Sequence, residues 1–370
     1  MSRILIAPGR YVQGAGAIHE IGIHASRLGT NALVTGGATA LSASSGAIQE
    51  SLARDKVGCS VERFGGECCD AEIRRLVQVA KAKGADLIIA VGGGKAIDTG
   101  KAVAHEMKVP VIVVPTIAAT DAPCSALSVV YTDEGVFQRY LVLPRNPDCV
   151  LVDTAIVAQA PAELLVSGMG DALATFWEAD TCQKSCKPNA LTGASPPTLS
   201  AVALARLCYD TLLEHGLQAK LAVEQKVVTP SVEAIVEANT LLSGLGFESG
   251  GLAGSHSVHN GFTVLEATHG KFHGQKVAFG TLTQLVMEGR PRCVLNEVME
   301  FCLSVGLPIC LEDVGIADPS REDIRRVAEA TAAKGETIHA TWFEVTPAAV
   351  EAAIWAADAL GRRYKGDRCR

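Results

Sequence analysis

The pattern of hydrophobic residues divides the chain into two halves of different character. Up to about residue 160, short apolar runs alternate with segments whose apolar positions recur three or four residues apart. Uninterrupted apolar runs are typical of strands buried on both faces, and their alternation with helices predicts a parallel sheet covered by helices on both sides. The predicted strands are residues 3–7, 10–13, 31–35, 58–64, 86–91, 109–114 and 149–153, with a hairpin from residues 126–132 and 136–143.

Beyond Pro161 the spacing becomes helical and few alternating β-branched runs remain. The predicted helices are residues 164–182, 198–213, 217–227, 230–245, 251–267, 277–287, 294–305, 321–334 and 346–360. The sequence therefore predicts an α/β domain over residues 1–161, a hinge at Pro161 and an all-α domain over residues 162–370.

Composition narrows the class of protein. The chain has 370 residues, of which 48% are hydrophobic, and its mean hydropathy is +0.24. No apolar run reaches the length of a membrane span, and the N-terminus does not resemble a signal peptide. The net charge of −7 and the scattered basic residues argue against nucleic acid as a partner. We expect a soluble cytoplasmic protein that binds neither membranes nor nucleic acid.

The twelve cysteines show no paired Cys-x-x-Cys spacing, and most lie in apolar surroundings. Reduced thiols that behave as small hydrophobic side chains are the expectation for such a chain. Cys182 and Cys186 lie four residues apart, but a structural zinc site there needs two more ligands that the sequence does not supply.

A glycine turn follows the predicted strand 86–91. Gly92, Gly93 and Gly94 precede Lys95, where a helix is predicted to begin. Glycines at a strand-to-helix turn let the backbone approach a phosphate group, and the helix N-terminus supplies free N–H groups. The turn matches neither of the common glycine-rich nucleotide-binding motifs. The prediction of a phosphate site therefore rests on its position between a strand and a helix. A turn without a ligand is the alternative.

Small and polar residues follow the next predicted strand, over residues 115–125. They lie at the carboxyl end of a strand, where open parallel sheets bind ligands. Asp121 is the one carboxylate in this segment. On local sequence alone, a helix or turn cap is the favoured role for it.

Four of the nine histidines fall within residues 250–274. In a helix over residues 251–267, His256 and His259 lie on one face, and His273 follows a glycine turn that can bring it back to that face. Asp171 lies in the predicted helix 164–182, as a cap after Gly170 or as a site residue. Asp171 and two histidines would form a three-ligand site of the catalytic zinc type, whereas satisfied core or surface histidines are the alternative.

Six sequence blocks resemble the metal-dependent polyol branch of the iron-containing alcohol dehydrogenase superfamily. They are residues 7–14, 92–95, 115–135, 168–175, 247–253 and 273–285. The resemblance covers nearly the whole chain. It implies a Rossmann-like N-terminal domain and a helical C-terminal domain in a dehydroquinate synthase-like architecture, with the active site in the cleft between them. It also implies a homo-oligomer, specifically an octamer.

The resemblance implies reversible NAD-dependent oxidation of glycerol to dihydroxyacetone at a zinc ion. The implied metal ligands are Asp171, His256 and His273, with His256 also catalytic and Asp121 in contact with the polyol substrate. His259 and His269 then match positions near the metal that are not ligands. Iron-binding relatives have a further histidine one turn after the aspartate, where this chain has Thr175.

The cofactor contacts implied by the resemblance can be assigned residue by residue. They are Gly93, Gly94, Lys95, Thr116, Ala119, Ser125, Leu127 and Tyr131. Two positions depart from the family pattern. Gly37 replaces an acidic residue that accepts from the adenosine ribose hydroxyls, which leaves the choice between NAD and NADP open. Ala119 replaces a frequent serine, at a cost of about 1 kcal/mol for one hydrogen bond.

The sequence leaves three alternative functions open. One is a related dehydrogenase for another small polyol or a hydroxy acid, such as 1,2-propanediol, or for an aminocyclitol. The second is a lyase of the dehydroquinate synthase type, which needs basic residues around the metal, where only Lys271 and Lys276 are near in sequence. The third is a non-catalytic metal or nucleotide binder, against which the complete three-ligand set argues.

Overall fold

A computed structural model describes residues 2–368 of the chain. The chain forms two compact units, each discontinuous in sequence. The α/β unit consists of Ile6–Ala162 and Leu221–Gly244. Among the described residues, the helical unit consists of residues 2–5, Glu163–Lys220 and residues 245–368. One junction between the units lies next to Pro161, as in the predicted division. Residues 221–244, however, belong to the α/β unit, so the division does not fall at a single point of the chain.

Six parallel strands form the sheet of the α/β unit, in the order β1-β8-β5-β4-β2-β3. These strands are β1 (Tyr11–Gly14), β2 (Asn31–Gly36), β3 (Gly58–Arg63), β4 (Leu87–Gly92), β5 (Val111–Pro115) and β8 (Cys149–Asp153). The two remaining strands, β6 (Leu127–Tyr131) and β7 (Phe137–Val142), pair as the predicted antiparallel hairpin. The predicted strand over residues 3–7 is wrong, because its backbone joins no strand ladder before Pro8 and Gly9 end the run.

The helices follow the predicted alternation and then dominate the second half. They are α1 (Ile21–Ala25), α2 (Ala38–Arg54), α3 (Asp70–Ala82), α4 (Gly94–Met107), α5 (Thr154–Gln159), α6 (Ala162–Ser185), α7 (Leu199–Glu224), α8 (Pro230–Glu237), α9 (Ser243–Gly250), α10 (Gly254–Phe262), α11 (His273–Met287), α12 (Arg292–Val305), α13 (Arg321–Thr331) and α14 (Pro347–Arg368). Short 3₁₀ turns lie at Ala17–Glu20, Ala122–Cys124, Glu266–Thr268 and Thr337–Ala340. A Rossmann-like α/β unit and a helical unit confirm the predicted fold class.

The core of the α/β unit depends on very close packing of α4 on the sheet. Strands β4, β5 and β8 are buried at every position. A Cβ at Gly100 of α4 would lie 2.3 Å from the Cβ of Ala90 in β4. Only glycine allows this approach, which fixes the N-terminus of α4 at the end of β4.

Several predicted helices differ in the structure, among them residues 251–267, where helix α10 spans only Gly254–Phe262. Residues 198–213 and 217–227 form the single helix α7, whose Gly216 packs against the ring of Phe301, where a Cβ would lie 2.7 Å from Cε2. The predicted helix over residues 230–245 is interrupted by a π-helical segment at Ala238–Leu242. Among the described residues, no helix combines the length and apolar character needed to span a bilayer.

Candidate active site

Three side chains from separate helices of the helical unit meet at one point. Asp171 lies in the interior of α6, His256 in the first turn of α10, and His273 is the first residue of α11. Asp171 Oδ1 is 3.2 Å from His256 Nε2 and 3.1 Å from His273 Nε2. The cap alternative for Asp171 is wrong, because the residue is far from both ends of its helix.

The geometry of this cluster fits a divalent metal ion. The three candidate ligand atoms all lie within 4.8 Å of one another. Tetrahedral zinc with bonds of 2.0–2.2 Å separates its ligand atoms by roughly 3.4 Å, close to the two distances measured from Asp171. One carboxylate oxygen and two imidazole nitrogens suit zinc and iron alike. Among the described residues this is the one group of its kind, and Cys182 and Cys186 form no second site.

A second buried carboxylate contacts the ring nitrogen of His256 that does not face Asp171. Glu178 Oε2 lies 2.6 Å from His256 Nδ1, while Glu178 Oε1 accepts from the backbone N–H groups of Ala253 and His256 at 2.9 and 3.1 Å. A carboxylate at Nδ1 holds the imidazole in the tautomer whose Nε2 lone pair is free for a metal. Glu178 was not predicted from the sequence. Its signal was the spacing of seven residues from Asp171, two turns along the same face of α6.

The other two histidines have different positions. His259 Nε2 lies 3.0 Å from His273 Nδ1, so His259 contacts a candidate ligand and does not itself reach Asp171. Burial, with the charges of His273 and Lys276, lowers the pKa of His259 well below its usual value. His259 is therefore neutral. His269 lies on the loop after α10, with Nε2 2.9 Å from the carbonyl oxygen of Thr263.

The two carboxylates determine the charge of the cluster. Burial alone would lower the pKa of His256, but Glu178 and Asp171 outweigh it and raise that pKa well above the usual value. Burial likewise opposes ionisation of Asp171, yet His273 and His256 hold its pKa far below the usual value. The raised pKa of His256 favours a protonated imidazole beside these carboxylates when no metal is bound. A metal ion must displace that proton, so binding a metal releases it.

Replacing Glu178 by glutamine is expected to weaken zinc binding by about 10–100-fold. The glutamine amide would donate to His256 Nδ1 and shift the ring proton to Nε2, the atom needed for the metal. Competition with a fluorescent chelator measures the affinity. The exposed Glu266, replaced by glutamine, is the control and should keep the wild-type affinity. Unchanged affinity in the Glu178 variant would show that this carboxylate only supports the fold.

The glycine turn of the α/β unit leaves a backbone cradle at the N-terminus of α4. Gly92 has φ +141°, and a Cβ at Gly93 would lie 2.8 Å from Ile117 Cδ1. The nearest atom to a Cβ at Gly94 is Thr120 Oγ1, at 3.9 Å, so open space adjoins the first turn. No side chain caps this end of the helix. Free N–H groups facing open space are suited to a phosphate.

Lys95 adds a positive charge beside this cradle. Its Nζ is 2.5 Å from Glu67 Oε2 and 5.1 Å from the centre of the Tyr131 ring, and half of the side chain is exposed. An exposed ion pair is weak, so Lys95 can exchange Glu67 for a phosphate oxygen. Thr116 follows β5 and donates its N–H to the carbonyl oxygen of Gly92 at 3.1 Å, next to the turn.

A fully buried lysine holds the segment that carries the other implied cofactor contacts. Lys101 Nζ donates to the carbonyl oxygens of Ala122, Ser125 and Leu127. With these bonds its hydrogens are used, and Asp98 Oδ1 lies 2.9 Å away as a charge neighbour. Asp98 Oδ2 accepts from the N–H of Val129. Ser125, Leu127 and, along β6, Tyr131 are therefore positioned through α4, a connection that the sequence analysis missed.

The π-helical segment contacts the loop after β5. Asn239 Nδ2 donates to the carbonyl oxygen of Ala118 at 2.9 Å, next to Ala119. Ser243 Oγ donates to Asp121 Oδ2 at 2.9 Å, and Asp121 makes no side-chain capping bond to the 3₁₀ turn that follows it. The cap predicted for Asp121 is therefore wrong. Its buried carboxylate is instead held by Ser243, which directly follows the π-helical segment. Such segments are frequently found at functional sites.

Comparisons with known proteins agree with this architecture. A family model described as iron-containing alcohol dehydrogenase matches residues 8–154. Glycerol dehydrogenase from Thermotoga maritima is 53% identical over 371 residues, which cover 97% of this chain and 98% of the relative. Glycolaldehyde reductase from Halobacterium salinarum is 47% identical over 365 residues, covering 99% and 100%.

A solved structure gives the same result at the level of the fold. The crystal structure of a probable glycerol dehydrogenase from Sinorhizobium meliloti 1021 has a TM-score of 0.91 and 47% sequence identity, covering 98% of this chain and 100% of that one. Identity of this extent over whole chains confirms the resemblance that the sequence blocks indicated. The chain is an oxidoreductase that belongs to the iron-containing alcohol dehydrogenase family.

Proposed function

We propose that the chain oxidises glycerol reversibly to dihydroxyacetone, with NAD as the acceptor, at a zinc ion held by Asp171, His256 and His273. The observation that carries the proposal is the cluster of one carboxylate and two imidazoles, with Glu178 at its back. Thr175 stands one turn after Asp171, where it provides no further imidazole. Three protein ligands with an open position are typical of catalytic zinc, which favours zinc over iron.

The polar residues divide the work of substrate binding. When bound, the metal would polarise a substrate hydroxyl and lower its pKa, and NAD would take the hydride from carbon. Glu178 keeps His256 in the tautomer that serves as a ligand. Asp121, held by Ser243, would accept a hydrogen bond from a second hydroxyl and so select which carbon is oxidised. Orientation of this kind favours a substrate with adjacent hydroxyls.

The cofactor residues are proposed to act in two groups. Gly93, Gly94 and Lys95 hold the pyrophosphate through backbone N–H groups and one cation. Thr116 and Ala119 lie in the loop after β5 and form the first group together with the glycine turn. The hairpin side is formed by Ser125, Leu127 and Tyr131, which Lys101 holds in place through the carbonyl oxygens around them.

The proposal includes a cytoplasmic location and assembly into a homo-oligomer. The location is expected from the composition and the cysteine pattern, and the homo-oligomer, specifically an octamer, is implied by the resemblance. Light scattering coupled to gel filtration measures the oligomeric state independently of catalysis.

The alternatives have less support. A lyase of the dehydroquinate synthase type would need free cations for a substrate phosphate, but Lys276 is buried and its Nζ lies 3.5 Å from the carbonyl oxygen of Thr268. Burial also lowers the pKa of Lys276, which weakens it as an anion-binding group. A dehydrogenase for 1,2-propanediol or a hydroxy acid would use the same site, so only substrate comparison separates it from the proposal.

One assay tests the proposed function. The zinc-loaded chain should form NADH from NAD and glycerol faster than from 1,2-propanediol, and NADH should be consumed when dihydroxyacetone is supplied. A chelator should abolish the reaction, and zinc should restore it. Absence of NADH with every small polyol tested, in a chain shown to contain zinc, would contradict the proposal.

A further inference from the structure

The end of strand β2 lies beside the glycine turn. Gly36 of β2 pairs with Val91 of β4, so Gly37 follows at the level of Gly92. In sheets that bind dinucleotides, the strand next to the glycine-turn strand ends near the adenosine ribose. An acidic residue there accepts from the 2′-hydroxyl in NAD-dependent proteins, and an arginine accommodates the 2′-phosphate in NADP-dependent ones. The residues at this end of β2 therefore decide between the two cofactors.

This position offers neither a negative charge nor an obstacle. A Cβ at Gly37 would meet no atom within 4 Å, whereas one at Gly36 would lie 2.4 Å from the carbonyl oxygen of Val91. Ala38 and Thr39, which follow, are exposed and uncharged. The backbone of Gly37 has φ −66° and ψ 158°, which any residue adopts. Open space without a carboxylate can take a phosphate group.

An arginine stands on the next strand at the same level. Arg63 of β3 pairs with Gly36, and the N–H of Phe64 donates to the carbonyl oxygen of Gly36 at 2.9 Å. Arg63 is exposed, and among the described residues no carboxylate lies within ion-pair distance of its guanidinium. Glu62, its neighbour on β3, and Glu72 are both bonded to Arg75, at 2.5 and 2.8 Å. Arg63 is thus the cation available to a ligand at this corner.

We propose, on the basis of the proposed function, that this corner accepts the 2′-phosphate of NADP, and that the chain uses NADP(H) as well as NAD(H). Arg63 pairs with the phosphate, and Gly37 provides the space and omits the charge that would repel it. A phosphate of −1.5 to −2 charge beside a carboxylate would be repelled strongly, whereas a charge-assisted bond to a guanidinium stabilises it.

Binding of cofactor fragments tests this proposal without catalysis. Calorimetry should show that the wild-type chain binds 2′,5′-ADP at least as tightly as 5′-ADP. Gly37→Asp should weaken 2′,5′-ADP by about tenfold or more without weakening 5′-ADP, because the new carboxylate repels the 2′-phosphate of the former and can accept from the 2′-hydroxyl of the latter. Since residue 37 is the N-cap of α2, where aspartate is favoured, this variant should fold.

Arg63→Gln should also weaken 2′,5′-ADP selectively, by about tenfold. The exposed Arg27, which precedes β2 in the chain and so lies away from the end that carries Gly37, is the matched control, and its glutamine variant should bind both fragments as the wild type does. If the wild type prefers 5′-ADP by about 100-fold, or if neither substitution changes the ratio of the two affinities, the proposal is wrong.

Turnover separates this inference from the proposed function. Glycerol oxidation with NAD and with NADP should differ by less than about tenfold in kcat/KM, or 1.4 kcal/mol. Turnover with NAD alone would overturn the use of NADP and leave the proposed function standing. Absence of turnover with both cofactors would contradict the proposed function, while the fragment affinities would still decide the cofactor question.

Discussion

Replacing Asp171 by asparagine is expected to lower both the zinc content and the rate of glycerol oxidation by more than about 100-fold. Substitution of residues that only support a metal ligand costs up to that amount, and Asp171 contacts both imidazoles directly. Asparagine keeps the size of the side chain in its buried position but removes the charge that attracts the cation. Metal analysis after gel filtration and the initial rate of NADH formation measure the two effects.

The loop residue His269 provides the matched control for this prediction. Its Nε2 lies beside the carbonyl oxygen of Thr263 and outside the candidate ligand set. His269→Gln should therefore retain zinc and most of the turnover. Full zinc content and full turnover in the Asp171→Asn variant would overturn the assignment of the metal site.

Replacing Lys101 by methionine is expected to lower the free energy of unfolding by about 3–5 kcal/mol. The substitution leaves Asp98 buried without its cation, and three carbonyl oxygens, those of Ala122, Ser125 and Leu127, lose a donor. Burial already raises the pKa of Asp98 despite the opposing effect of Lys101, so the uncompensated carboxylate is costly. Urea unfolding of the metal-free chain measures the loss.

Two further variants separate charge from packing. Asp98→Asn combined with Lys101→Met should recover part of the loss, because no buried charge remains. Lys95→Met breaks a half-exposed ion pair with Glu67 and should cost less than about 1 kcal/mol. NAD binding should weaken in the Lys101 variant as well, since the segment that carries Ser125 and Leu127 loses its anchor. Equal stability losses in the Lys95 and Lys101 variants would contradict this account.

The sequence predicts the sheet well because its strands are buried on both faces. Residues 31–35 and 149–153 were predicted as strands, and the structure has Asn31–Gly36 and Cys149–Asp153. Short uninterrupted apolar runs between predicted helices are best explained as buried strands. Residues 3–7 show the limit of the pattern, because an apolar run forms a strand only where another strand offers backbone partners.

The candidate site could be predicted only in part. The histidine cluster and the glycine turn are local signals, so they could be found from spacing. Glu178 could not be assigned a role, because its partner His256 is on a helix distant in sequence. Asp121 was interpreted as a cap for the same reason: its partner Ser243 lies 122 residues away. Long-range contacts, which override local propensity, are absent from any single window of sequence.

The burial of charged side chains within a helix could not be predicted from the sequence either. Asp98 and Lys101 are both buried in α4, whereas charged residues are ordinarily expected on the exposed face. Periodicity marks which positions are apolar, but it does not reveal that a lysine will be buried among carbonyl oxygens. The segment 221–244 is a similar case, since its helical spacing is clear but its return to the α/β unit depends on contacts such as the bond from Gln13 Nε2 to Glu233 Oε2 at 2.8 Å.

The most direct test of the account is a titration of the metal-stripped chain with zinc, followed by the rate of NADH formation from glycerol. We expect the rate to rise in proportion to bound zinc and to reach its maximum at one ion per chain, with no such rise in the Asp171→Asn variant. Turnover by the metal-stripped chain at the rate of the zinc-loaded chain would contradict the central claim that Asp171, His256 and His273 hold a catalytic metal.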